Sequence, residues 1–317
     1  MRIREIYSAQ KRIRGFIRKT PLEYSYSLSE LIGGEVYLKL ENQQITGSFK
    51  VRGALNKFLK LSDDAKKKGV ITASSGNHAQ GVAFASKLLG VESTIVVPED
   101  TPQVKIEAIR KYGVNLIVFG KEYLDAEKLA RGIEKEEGKT FISAYNDTDV
   151  IAGQGTIAIE MFDENPDLGI IIVPVGGGGL ISGIASYAKK VFDCRVLGVQ
   201  SENSPVMFES LRRGKIVEME SKSSIAEGLH GGIEEGSITY DICRKLVDEV
   251  ILVKEESIMR GIRLMLATHR QIVEGAGAVG VSALLESPER FREASIGVVI
   301  SGGNLDERIL NMLIKNK

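Results

Sequence analysis

The sequence predicts an α/β protein built on mostly parallel sheets. Short β-branched, apolar runs alternate with longer helix-compatible stretches along the whole chain, the pattern of strand–helix–strand units. Small-residue turns rich in glycine, serine and asparagine follow several of the strands and open the next helix. Strands are expected at 36–40, 70–73, 94–97, 116–119, 140–144, 170–175, 196–199, 250–253 and 297–300. Helices fill the gaps, among them 77–89, 123–137, 256–266 and a last one at 305–314. A chain of 317 residues buries a large core and has room for two domains.

Bulk chemistry excludes several function classes. Lysine and arginine total 42, aspartate and glutamate 42, so net charge is zero and no basic face suits nucleic acid. The two cysteines, Cys194 and Cys243, form no motif and fit a reducing compartment. Met1-Arg2-Ile3-Arg4-Glu5 is charged and lacks the apolar core of a signal peptide, so the expected location is cytoplasmic. The uncharged run 169–188 approaches the length of a membrane span. Pro174 and four glycines interrupt it, so it reads as strand, loop and helix, and no membrane partner is expected. His78, His230 and His269 lack zinc spacing, and no metal is expected. His78 reads as packing or capping its helix, and His269 as a cation at a helix end.

The chemistry-bearing residues lie in the small-residue segments. Lys50, within Ser48-Phe49-Lys50-Val51-Arg52-Gly53-Ala54, falls in the first turn of a helix, where unpaired backbone N–H groups disfavour a charged amine. Desolvated there, it is a nucleophile toward carbonyls; otherwise it is a surface lysine. Ser74-Ser75-Gly76-Asn77-His78 ends a strand and opens a helix, aiming N–H groups and hydroxyls at one point, which suits a carboxylate; an ordinary N-cap has the same look. Gly176-Gly177-Gly178-Gly179 lies between an apolar strand and a helix start, where a bare backbone closes around a phosphate. Ser301-Gly302-Gly303-Asn304 ends a strand where open α/β sheets bind ligands. Glu274-Gly275-Ala276-Gly277-Ala278 permits close approach to a flat ligand or a tight helix crossing.

In that combination and order, these segments closely resemble the pyridoxal-phosphate enzymes of the threonine/serine dehydratase and serine racemase group, of the tryptophan-synthase-β-like fold type II. The resemblance spans nearly the whole chain. It implies two three-layer α/β domains: residues 1–46 with 143–317 as the large cofactor-binding domain, and 47–142 as a small domain that binds the substrate carboxylate. Lys50 would form the carbon–nitrogen double bond to the cofactor aldehyde, and Phe49 would pack on the ring. Asn77 would hydrogen-bond the ring hydroxyl, Gly176, Gly177, Gly178 and Gly179 would hold the phosphate, and Ser301 would face the ring nitrogen, with Glu274 in the same cofactor site. Ser74, Ser75, Gly76 and Asn77 would hold the substrate carboxylate. Ser75 matches the residue that serves in racemases as acid/base opposite the lysine. A homo-oligomer, dimer or tetramer, is implied by the resemblance alone.

These roles imply β-elimination from a β-hydroxy amino acid such as L-threonine or L-serine. A serine facing the ring nitrogen leaves a weaker electron sink than an aspartate, which favours prompt loss of the β-leaving group. Lys50 would take the α-proton, the hydroxyl would leave with proton assistance, and the aminoacrylate-type product would hydrolyse to a 2-oxo acid and ammonia. Racemisation, or dehydration of a larger hydroxy amino acid, is the alternative. A non-catalytic cofactor-binding sensor is the alternative of another class, and it leaves Lys50 and Ser75 without use. A nicotinamide-binding reading of the tetraglycine fails in spacing, since its third glycine falls at Ser182 or its second at Leu180.

Two departures from the group bear on substrate and metal. After Ser224-Ile225-Ala226 the group usually continues with Asp-Gly, whereas this chain reads Glu227-Gly228-Leu229-His230. His230 therefore contacts a larger or differently charged side chain, or assists a leaving hydroxyl, or merely packs. Gln200, Pro205 and Val206 stand at or near positions where racemase relatives carry acidic cation ligands.

Overall fold

A computed structural model describes residues 1–315. The larger sheet contains β1 (Leu22–Tyr24), β2 (Glu35–Leu40), β7 (Ile170–Pro174), β8 (Arg195–Ser201), β9 (Glu249–Val253) and β10 (Ser295–Ile300), in the order β1-β2-β10-β7-β8-β9. The smaller contains β3 (Val70–Ala73), β4 (Ser93–Val97), β5 (Asn115–Val118) and β6 (Thr140–Phe141), in the order β5-β4-β3-β6. Every pairing is parallel except β1 with β2.

Side-chain alternation explains the layering. Along β7, Ile170 and Ile172 enter one core while Ile171 and Val173 enter the other. In the smaller sheet Val70, Ile95 and Val97 face one layer of helices, and Ile71, Ala73 and Val96 the opposite one. Both sheets are thus covered on both faces, as parallel sheets require, and each is the middle of three layers.

Three expectations are corrected. β1 was missed, being a three-residue antiparallel edge strand too short to carry a pattern. The strand expected at 140–144 stops at Phe141. Beyond it the chain turns away, and the carbonyl of Ile142 accepts from Thr72 Oγ1 at 2.8 Å and lies 2.9 Å from His78 Nε2. The last helix runs Glu307–Lys315, two residues later than expected at its start, because Asp306 Oδ1 accepts the Arg308 N–H at 2.8 Å and caps it.

The helix Lys50–Leu59 is locked by charge at its buried face. Arg52 is fully buried. Its guanidinium donates to Glu41 from Nε and one terminal nitrogen at 2.8 Å each, and to Glu160 at 2.7 and 2.8 Å. Lys39 Nζ donates to Glu160 at 2.7 Å and to the Thr20 carbonyl at 2.6 Å. Two cations and two carboxylates thus close a neutral cluster among β2, the Lys50 helix and the helix Thr148–Glu164. Burial opposes ionisation of Glu160, but Arg52 and then Lys39 outweigh it and hold the carboxyl below its usual range.

Close helix crossings complete the lock. A Cβ on Gly153 would lie 2.5 Å from the Arg52 carbonyl oxygen, and one on Gly183 would lie 2.5 Å from Gly155 N. Three helices therefore touch backbone to backbone, from the Lys50 helix through Thr148–Glu164 to Gly179–Val191.

Removing one partner of such a cluster strands a buried charge. Arg52→Ala is expected to lower unfolding free energy by about 3–5 kcal/mol. Urea unfolding of wild type and variant checks this; a loss under about 1 kcal/mol would show the cluster to be dispensable.

Candidate active site

The turns singled out in the sequence converge at the carboxyl ends of their strands. β10 lies between β2 and β7, which sets the turn after Ile300 beside the tetraglycine turn. The segment before Lys50 docks antiparallel on the first of these. Ser48 pairs with Gly302, Phe49 N donates to the Ser301 carbonyl at 3.1 Å, and Gly303 N donates to the Gly47 carbonyl at 2.8 Å. Ser301 is buried at this junction.

Lys50 is the first residue of its helix, with Phe49 as the cap. Its Nζ donates to the Ala144 carbonyl at 3.0 Å and lies 5.2 Å from the centre of the Phe49 ring. Part of the side chain's surface remains open to the cleft, yet protein packs densely enough around the amine for desolvation to push its pKa down to about 8, against a weaker upward pull from Glu274.

Ser74, Ser75, Gly76 and Asn77 form the turn after β3, and all four are partly open to the cleft. Gly76 N donates to Ser74 Oγ at 3.3 Å, tightening the turn, and Asn77 begins the helix Asn77–Leu89. That helix crosses the Lys50 helix at Gly81, whose added Cβ would sit 3.2 Å from the Lys50 carbonyl carbon. The helix that follows this turn and the helix of the lysine are therefore held against each other by backbone packing.

The tetraglycine turn has no room for side chains. A Cβ on Gly177 would lie 2.5 Å from the Tyr145 ring, one on Gly179 2.9 Å from Tyr145 Cα, and one on Gly176 3.1 Å from Leu229 Cα. Gly178 adopts φ +86°, a conformation costly for other residues. The helix Gly179–Val191 starts at once, so backbone N–H groups and the positive helix end face the turn. This bare, positive cradle fits a phosphate, and the low-pKa amine fits an aldehyde.

Glu274 precedes the helix Gly275–Glu286. Its Oε1 accepts from Asn77 Nδ2 at 2.7 Å, linking the two sheets' turns. Burial raises its pKa to about 7, against downward pulls led by the Asn77 hydrogen bond and Lys105. The glycines after it open this helix. Added Cβ atoms would meet the Ile225 carbonyl oxygen at 2.0 Å from Gly275 and the Gly302 carbonyl oxygen at 2.5 Å from Gly277.

The histidines differ. His78 is buried, with its Nε2 2.9 Å from the Ile142 carbonyl just past β6, and burial drives its pKa down to about 3, so it is neutral. His269 ends its helix as expected but lies 3.1 Å from Ser25 Oγ, and burial lowers its pKa; the cation expected there is disfavoured. His230 is exposed, just after the turn Glu227–Leu229 that covers Gly176. Glu227 in that turn pairs with Lys105 at 2.7 Å and Arg308 at 3.3 Å. Gln200 spans its own loop, donating to the Ser204 carbonyl at 3.2 Å and accepting from Phe208 N at 2.8 Å. Among the described residues no group of three His, Cys, Asp or Glu is arranged to hold a metal, and no helix is long and apolar enough to cross a membrane.

Sequence reasoning missed three participants. The Ala144 carbonyl lay in an expected strand. Tyr145, whose ring covers the glycine cradle, carried no motif. Asn304 stood inside a quoted motif but received no role.

This glycine cradle, dehydrated lysine and strand-end serine fit pyridoxal phosphate, the cofactor of a well-populated class of enzymes. The family model for pyridoxal-phosphate dependent enzymes matches residues 13–302, and the chain belongs to that family. Over 313 residues it is 43% identical to the L-threonine ammonia-lyase of Thermotoga maritima, covering 98% of this chain and 78% of that one. It is 44% identical over 308 residues to the catabolic L-threonine dehydratase of Staphylococcus aureus, covering 95% and 88%. The structure of maize serine racemase superposes with a TM-score of 0.94 at 35% identity, covering 99% and 97%.

In the cofactor-free protein, labelling of Lys50 by an amine-reactive reagent should reach half its maximal rate near pH 8, since only the neutral amine reacts. At pH 7 about a tenth of the molecules would be neutral. Mass spectrometry of the labelled peptide against pH checks this, and a midpoint at the ordinary lysine value of 10.5 would contradict the desolvation argument.

Proposed function

We propose that this chain catalyses pyridoxal-phosphate-dependent β-elimination of a β-hydroxy amino acid such as L-threonine or L-serine, giving a 2-oxo acid and ammonia. The observation that carries this reading is the Lys50 amine at the first residue of its helix, donating to the Ala144 carbonyl at 3.0 Å and packed tightly enough for desolvation to push its pKa down to about 8. Identity of 43% to a threonine ammonia-lyase supports the substrate class.

When bound, the cofactor supplies an electron sink that acidifies the substrate's α-carbon. The chain's residues supply the rest. Gly176 to Gly179 bind the phosphate through backbone N–H groups, with no side chain in the way. Phe49, Ser301 and the Asn77 side chain would hold the cofactor's ring, Phe49 by apolar contact and Ser301 and Asn77 by their hydrogen-bonding groups. Ser74, Ser75, Gly76 and Asn77 bind and orient the substrate carboxylate. Lys50 removes the α-proton as its neutral amine, a form that desolvation populates near neutral pH. Residues 47–142 act as a small domain that closes on the remainder and excludes water.

A serine-type racemase is the second reading, supported by the likeness to maize serine racemase. Ser75 would then return a proton on the face opposite Lys50. Deuterium entering the α-carbon of recovered substrate in deuterated water separates the two.

The test is a panel of serine, threonine, threo-3-hydroxyaspartate, β-aryl serines and D-isomers, scored for 2-oxo acid and ammonia. L-Threonine or L-serine is expected to give both products, and Lys50→Ala to lower the rate by at least about 100-fold. No ammonia from any member would refute the reading. Within the panel, His230→Ala is expected to change substrate preference more than stability, and an unchanged ranking would leave His230 without a role in recognition.

A further inference from the structure

We propose that Asn304 is a positioning residue that sets which way round the Asn77 amide stands, so that its NH2 group rather than its carbonyl faces the cofactor's ring oxygen. The inference rests on the reading of Asn77 given above and adds a residue that reading leaves without a task.

The argument is one of hydrogen-bond polarity. An asparagine side chain has an NH2 end that only donates and an oxygen that only accepts, in nearly the same shape. Rotation by half a turn exchanges them at little steric cost, so something must select the orientation. Here the selection starts at a group that cannot rotate. The backbone carbonyl of Thr46 only accepts, and Asn304 Nδ2 donates to it at 2.9 Å. The same nitrogen donates its other hydrogen to Asn77 Oδ1 at 2.6 Å. Asn77 must therefore turn its oxygen toward Asn304 and its nitrogen the other way, where one hydrogen goes to Glu274 Oε1 at 2.7 Å. The second hydrogen on that nitrogen is left for the ring oxygen.

The local backbone is built for this contact. Gly47 has φ +72°, and a Cβ there would lie 2.5 Å from Asn304 Oδ1. The pairing of Gly303 N with the Gly47 carbonyl at 2.8 Å holds the two segments in register. Asn304 is itself exposed, so it adds little to the core; its hydrogen bonds are what it contributes.

Donation to the ring oxygen favours its deprotonated form. An acceptor in the same position would favour the protonated form. The two forms absorb in different regions, visible for the deprotonated and near ultraviolet for the protonated, when the cofactor rests on the enzyme without substrate. Asn304→Asp replaces the donor by a carboxylate that repels both the Thr46 carbonyl and Asn77 Oδ1, and so turns the Asn77 amide around.

The experiment compares absorption spectra of cofactor-loaded wild type, Asn304→Asp and Asn304→Ala at neutral pH, with melting curves to confirm folding. In Asn304→Asp the visible-to-ultraviolet ratio is expected to fall about tenfold, the scale of one charge-assisted hydrogen bond. In Asn304→Ala it falls less, because Glu274 still accepts from the Asn77 nitrogen and keeps part of the population in the original orientation. An unchanged ratio in folded Asn304→Asp overturns the proposal. Should that variant not fold, an unchanged ratio in Asn304→Ala does the same. Either result, with the cofactor still on Lys50, leaves the functional reading intact; a wild type that takes up no cofactor overturns both.

Discussion

The buried cluster around Arg52 is the constraint on which the site depends. Arg52 stands two residues after Lys50 in one helix, about 200° further around its axis. One side chain therefore points into the core while the other points into the cleft. Fixing the first fixes the second. Desolvation cancels much of the attraction in any buried ion cluster, so its benefit over apolar packing is small in energy. Its benefit is directional: the guanidinium fork meets two carboxylates that come from different elements, Glu41 after β2 and Glu160 on the helix Thr148–Glu164. Slippage of the Lys50 helix would break both pairs at once.

From that anchor the cleft follows. Backbone contact at Gly53–Gly153 and Gly155–Gly183 carries the position of Lys50 across to the helix that opens at the tetraglycine turn. The antiparallel docking of Ser48 on Gly302 carries it to the end of β10. Dense packing then does electrostatic work. It strips water from Lys50 and Glu274, and desolvation is the largest cause of both shifts, to about 8 and about 7. The carboxyl stands 2.7 Å from Asn77 and pulls on the amine, and both titrate close to neutrality, where proton transfer is easiest to tune.

Much of this could be read from the chain itself. The long parallel strands announced themselves because burial on both faces demands unbroken apolar runs, as in 170–173. The turns announced themselves because a ligand-bearing turn needs glycine, serine or asparagine. Features that depend on tertiary partners did not. Arg52 appeared only as a member of the lysine motif, since nothing local reveals that Glu41 and Glu160 meet it from 11 residues before and 108 after. Tyr145 became a lid on the glycines only because β6 ends early. Asn304 carried a motif but no visible task, since its task lies in the direction of two hydrogen bonds rather than in its type.

Family membership and fold agree on the cofactor, and the proposal is that one side chain holds it. The most direct measurement is borohydride reduction of the cofactor-loaded protein, followed by proteolysis and mass spectrometry. The account predicts one pyridoxyl-modified peptide, modified at Lys50, with no other lysine labelled to a comparable extent. A pyridoxyl group on a different lysine, or a protein that loads cofactor and yields no modified peptide, would contradict it.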